Sequence, residues 1–168
     1  GAFAALLLAC GSSHGRRVIQ ETPPIPDFIM NGSKEIQREF LGGFQGGDGG
    51  SITAMKRPDK VKAFSFRFGL IRKTKTQEHL QSLWNMMNQY AQLLRNFGID
   101  LISIQYAHYY DDRWLVTIDP SSSEENIIRY MSTIGYRYSM TKQSIAFYLA
   151  EFLRYKFIKI NERENFKQ

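Results

Sequence analysis

From Phe64 to Leu70 apolar and polar positions alternate, with Phe64, Phe66, Phe68 and Leu70 set against Ser65, Arg67 and Gly69. A period of two places the aromatic residues on one face of a β-strand. The period then changes. Leu80, Leu83, Trp84, Met87, Tyr90, Ala91, Leu94 and Phe97 recur at helical spacing, while Gln81, Asn85, Asn88, Gln92 and Arg95 fill the opposite side. Gly98 supplies the stop. IDLISIQYAHYY predicts a second strand with Ile102, Ile104 and Tyr106 on one face. Asp111, Asp112 and Arg113 predict a tight turn, and WLVTIDP returns as the third strand of a hairpin.

Pro120 ends that strand, and a second helix opens with a capping box, Ser121 to Glu124 or Ser122 to Glu125. Its apolar stripe is Ile127, Ile128, Met131 and Ile134, and Gly135 ends it. YRYSM predicts a short fourth strand, and Thr141 predicts the cap of a third helix, TKQSIAFYLAEFLRYKF. The order β-α-β-β-α-β plus a helix is that of an α+β, ferredoxin-like sandwich over residues 59–160, with a charged tail over 161–168.

Residues 11–58 have the composition of an extended arm. Pro23, Pro24 and Pro26 favour polyproline-type backbone. Ser33 predicts a cap for a short helix ended by Gly42 and Gly43, and GGFQGGDGG predicts a flexible linker. That glycine run lacks the Gly-Lys-Ser/Thr of a phosphate loop.

The 168 residues suit one domain with extensions, and 43% hydrophobic and 14% aromatic content is enough for a core. A formal net charge of +6, from 22 Lys plus Arg against 16 Asp plus Glu, favours anionic partners without choosing among them. The single cysteine, Cys10, excludes an intramolecular disulfide and a zinc site of several cysteines. No apolar window reaches the roughly 18 to 20 residues of a spanning helix.

The chain opens GAFAALLLAC, an apolar segment over residues 1–10. Leu7-Leu8-Ala9-Cys10, followed by Gly11-Ser12-Ser13, resembles the lipobox of bacterial lipoproteins. The resemblance implies a lipid anchor on Cys10 and a place in the bacterial envelope. It implies the outer membrane in particular, because Gly11 rather than Asp follows the cysteine. A second reading stays open, in which the segment is an apolar tail or signal remnant touching an organellar membrane complex.

Catalytic chemistry is hard to assemble from these residues. His14 lies in the arm, and His79 lies near a helix start. His108 beside Asp111 and Asp112 is the best group for a metal, although a solvated turn is the simpler account. Glu124 and Glu125 read as caps, Glu162 and Glu164 fall in the tail, and no G-x-S-x-G elbow is present.

The expectation is therefore a non-enzymatic accessory or assembly subunit of a membrane-associated protein complex, with no cofactor and no metal. The apolar N-terminus anchors it; Pro23, Pro24, Pro26 and Phe28 of the arm and Phe147, Tyr148 and Phe152 of the last helix contact protein partners. The alternative is a basic nucleic-acid-binding α/β domain. Its open sheet face would present Tyr109, Arg113 and Arg67, with Arg72, Lys73 and Lys75 near phosphates. The strand WLVTI departs from the RNA-recognition signature of alternating aromatics.

Overall fold

The computed structural model describes Ala9 and residues 19–56 and 64–165. The fold is α+β, with antiparallel strands in two sheets and five helices among the described residues 19–165, compatible with the ferredoxin-like class. In chain order the elements are α1 (Asp27–Met30), α2 (Lys34–Gly47), β1 (Thr53–Lys56), β2 (Phe64–Arg67) and β3 (Ile71–Thr76). There follow α3 (Leu80–Asn96), β4 (Leu101–Tyr110), β5 (Arg113–Pro120), α4 (Glu124–Thr133) and α5 (Met140–Asn165). β1 pairs with β2, and the larger sheet runs β3-β5-β4.

The split in period seen in the sequence sets this architecture. In the larger sheet Ile71, Val116 and Ile118 point to one side, where α3 covers them with Leu83, Met87, Tyr90 and Leu94, all essentially buried. Phe68 stacks edge-on with Tyr130 of α4, which in turn meets Tyr136. Gly98 and Gly135 end α3 and α4 at φ +72° and +71°, the left-handed backbone a glycine adopts freely. Ser33 caps α2 by accepting from the Ile36 amide.

Several local expectations need correction. The cap of α4 is Ser123, which accepts from the Asn126 amide; Ser122 instead accepts from the Phe68 amide at 2.9 Å and ties β2 to the helix start. The third helix starts at Met140, ahead of the expected Thr141 cap, and it absorbs most of the charged tail by running to Asn165. The first strand is broken at Gly69, where a Cβ would overlap Gly50, so β2 and β3 are separate. Ile102 falls in a register shift of β4 and is 67% exposed, apart from Ile104.

YRYSM is not a strand. The Arg137 amide donates to the Gly42 carbonyl at 2.9 Å, and the Tyr136 hydroxyl bridges the Ile52 amide and the Gly50 carbonyl. These bonds clamp residues 135–137 against α2 and take the backbone a strand neighbour would need.

The described part of residues 11–58 is also more ordered than an arm. Residues 21–26 have no regular secondary structure, but Ile25 is 3% exposed and its amide donates to Gln89 Oε1 at 2.8 Å, while the Thr22 amide donates to Ser82 Oγ at 3.0 Å. The proline stretch straps the chain's own α3. The glycine run does not end α2 at Gly42; the helix continues to Gly47 because Gly42 and Gly46 let it approach residues 135–137 without a side chain between. The Lys142 ammonium then caps it, donating to the carbonyls of Gln45, Gly46, Gly47 and Gly49 at 2.8 to 3.2 Å.

Candidate functional site

Directly opposed residues on paired strands share a face, so the register defines what the sheet presents away from its helices. One row across the three strands is Arg72, Thr117 and Gln105; the next is Thr74, Leu115 and Ala107; the third is Thr76, Arg113 and Tyr110. Asp119 and Ser103 begin the face at its inner end. In the β1–β2 hairpin Phe66 turns inward and meets Phe152 of α5 at 6.0 Å, which leaves Thr53, Met55, Ser65 and Arg67 on the outer side.

This outer face is polar, with Arg67, Arg72 and Gln105 exposed and Thr74, Thr76 and Arg113 half-buried. Arg72 and Arg113 give the larger sheet two positive charges against the single carboxylate of Asp119 on its strands, and Arg67 adds a third on the separate β1–β2 hairpin. Its middle holds Thr117, buried between its neighbours, and Leu115, half-buried on the same central strand. At the far end Arg113 stacks 4.8 Å over the Tyr110 ring and donates to its hydroxyl. Tyr109, in the second register shift of β4, lies 4.8 Å from Tyr110.

The alternation that gathers the arginines separates them from the lysines. Lys73 and Lys75 point to the helix side of β3. Lys73 pairs with Asp48 at 2.5 Å over the Phe44 ring, and Lys75 is buried, donating to the Gln20 carbonyl at 2.6 Å. Of that basic cluster only Arg72 faces outward. Sequence reasoning named Arg67, Arg113 and Tyr109 for the open face, but it missed Thr74, Gln105 and Tyr110. Their signal was the period-two pattern of RKTKT and of IQYAHYY, legible only with the register in hand.

The residues chosen for partner contact fall elsewhere. Pro23 and Pro26 are half-buried in the strap on α3, whereas Pro24 and Phe28 are exposed, Phe28 by 59%. On α5, Ala146, Ala150 and Leu153 form the buried seat, Phe147 and Tyr148 look outward at 53 and 72% exposure, and Phe152, 55% exposed, lies against Phe66. A cleft of about 450 Å³ runs beside Phe147 and Tyr148, closed by Arg38 and Arg137 and by the end of α4. Cys10 lies outside the described residues, as does His14. His108 contacts the Asp111 carbonyl at 2.6 Å, a bond within the turn.

Beneath the sheet three phenols are shut away from water. Burial raises the Tyr90, Tyr130 and Tyr136 ionisations above the ordinary phenol value, with the mutual proximity of the rings adding to the effect on Tyr90 and Tyr130. They are structural groups: Tyr90 donates to the Leu41 carbonyl, and Tyr136 holds the Gly50–Ile52 backbone.

No family model matches the chain, and no solved structure matches it. It is similar, at 30% identity over 96% of its length, to part of a protein named tRNA-splicing ligase RtcB from Methanopyrus kandleri. It is also similar, at 28% identity over 92% of its length, to part of the Replication factor C small subunit from Methanocaldococcus jannaschii. The chain spans 15% of the first relative and 8% of the second.

Proposed function

We propose that the chain is a nucleic-acid-binding module that lays the open face of its strands on a double helix. The observation carrying this is the row structure of that face, in which arginines, threonines and a glutamine stand in register with one carboxylate among them. Antiparallel strands fit the major groove, where glutamine reads adenine through paired hydrogen bonds while arginines reach the phosphates. A single-strand platform would carry aromatic rings at its centre. Here the centre is Thr117 and Leu115 of β5, flanked by Gln105, Thr74 and Ala107, with no aromatic ring among them. The net charge of +6 acts in the same direction.

The relatives support a module with a role of its own. A splicing ligase and a replication factor are named for different activities, yet each contains a segment like nearly all of this chain, as a small fraction of its length. Such a segment carries neither name. It behaves as a unit placed within longer proteins of different kinds.

The test is fluorescence anisotropy of a labelled duplex from 50 to 200 mM salt. The wild-type affinity falls with salt, and the double change Arg67→Gln with Arg72→Gln lowers the log–log slope by about 2, from roughly 0.9 per phosphate contact removed. A slope the double variant leaves unaltered sinks the reading. Mg²⁺ in the same assay asks whether binding is followed by chemistry. A binding protein leaves the duplex intact, whereas scission lost in Asp48→Asn would make the chain a nuclease, because Asp48 is an exposed carboxylate at the end of a helix that Lys142 braces.

A second reading, as an accessory subunit of a protein assembly, draws on the outward aromatic side of α5. A photo-crosslinker at Tyr148 capturing no protein in cells would remove it. Its membrane component rests on Leu7 to Cys10, and intact mass of the native protein tests for lipid there.

A further inference from the structure

The tip of the β4–β5 hairpin has no structural use for its aromatic rings. β3 reaches Thr76, opposite Arg113, so Arg113 and Tyr110 stand in the last row of the three-stranded sheet and only the turn at Asp111 and Asp112 lies beyond it. Tyr109 and Tyr110 are 58 and 42% exposed, and they are the last two residues of the ten-residue β4 before the turn at Asp111 and Asp112, where Asp111 sits at φ +48°. Their centroids are 4.8 Å apart with planes tilted by 60°, and the Arg113 guanidinium covers Tyr110. The Trp84, Tyr106, Trp114 and His108 rings interlock on the other side of the hairpin, so they neither cover this pair nor compete for it.

We infer that Tyr109, Tyr110 and Arg113 form a stacking platform for one unpaired base beside the duplex held by the open face. This rests on the reading of that face as a duplex-binding surface. Arg113 belongs to the same face as Arg72, so the platform continues it. Aromatic and guanidinium planes offer the π-surface that a base takes up once it leaves the helical stack. Within a duplex those surfaces are already occupied by neighbouring bases. Asp111 and Asp112 flank the tip with two carboxylates that turn phosphates away, so contact there falls to a base rather than to the backbone. The partner is thus a duplex interrupted or ended by an unstacked nucleotide.

The probe is a set of duplexes with a single unpaired 2-aminopurine at successive positions, and a fully paired control. At one position or a few, binding is tighter than to the control by on the order of ten-fold and the fluorescence is quenched, in line with stacking of one base. Tyr109→Leu with Tyr110→Leu keeps bulk and strand preference while removing the aromatic planes. It should abolish both the preference and the quenching, so that the interrupted duplex is bound no more tightly than the paired control. Arg67→Gln with Arg72→Gln should weaken both kinds of duplex alike. Equal binding of interrupted and paired duplexes overturns the platform but not the duplex reading. An equal loss on both duplexes in the double leucine variant does the same. Failure to bind any duplex overturns both.

Discussion

The Lys142 ammonium stands 2.9 Å from the carbonyl oxygen of Gly46, with three further carbonyls of the same turn at 2.8 to 3.2 Å. The last carbonyls of a helix lack partners within it and carry the negative end of its dipole. A lysine from α5 therefore completes α2, whose final turns are too rich in glycine to hold themselves. Lys142→Met keeps the stem and removes the donors. The expected loss is about 1.5 to 3 kcal/mol, the range for hydrogen bonds to a charged group. Urea denaturation measures it, and a loss under about 0.5 kcal/mol would mean that water caps the helix equally well.

Two neighbouring glycines of α2 should respond in opposite directions to the same substitution. A Cβ on Gly46 would overlap the Arg137 carbonyl, whereas one on Gly47 meets nothing within 4 Å. Gly46→Ala forces α2 away from residues 135–137 and should cost at least about 2 kcal/mol, as overpacking does. Gly47→Ala should stabilise by about 0.5 to 1 kcal/mol through helix propensity. Thermal melts of the two variants settle the contrast, and melting temperatures that move together would contradict it.

Asn126 is fully buried at the first turn of α4. Its side chain accepts from the Asp100 amide at 2.9 Å and donates to the Asp100 and Ser121 carbonyls at 3.1 and 2.8 Å. It thereby joins the entry to β4 with the exit from β5. Asn126→Ala strands these backbone groups, and the cost is expected at about 2 to 4 kcal/mol, from roughly 1 to 3 for each buried group left unpaired. Hydrogen exchange should show the Asp100 amide losing its protection first.

The three buried phenols make stability depend on alkaline pH. Their folded-state ionisation is raised above the ordinary value of 10.0, so the folded chain holds protons that the unfolded chain releases. That stability is complete below about pH 10 and declines as pH rises past it. Urea midpoints should be level from pH 8 to 9 and fall from about pH 10 upward. A fall beginning near pH 8 would point to another group. Tyr130→Phe isolates one ring: its hydroxyl is buried with no partner among the described residues, so removal should be neutral or stabilise by about 1 kcal/mol.

Where a residue's role depends on near neighbours, the sequence is a good guide. Leu83, Met87, Tyr90 and Leu94 repeat at helical spacing and are buried, and Gly98 and Gly135 stop the helices they follow. Asp111 and Asp112 turn the hairpin between the two strands expected. Long-range compensation is where local reasoning stops. Gly42 to Gly47 have poor propensity, and what makes them helical comes from Arg137 and Lys142, nearly a hundred residues on. The candidate face was half legible for a related reason. Arg67 and Arg113 could be assigned to it from alternation within their own strands, but the row of Arg72, Thr117 and Gln105 needs three strands in register.

Among the described residues β4 lies at the border of its sheet, paired with β5 on one flank. Its other flank carries backbone donors and acceptors of the kind to which a foreign strand, or a second copy of the same strand, adds itself. The two register shifts, at Ile102 and at Tyr109, interrupt that flank near both ends and leave residues 103–108 as its regular stretch. The irregularity that lifts Tyr109 out of the ladder is thus also a guard against self-association. Restoring a regular ten-residue border there would trade solubility for straightness.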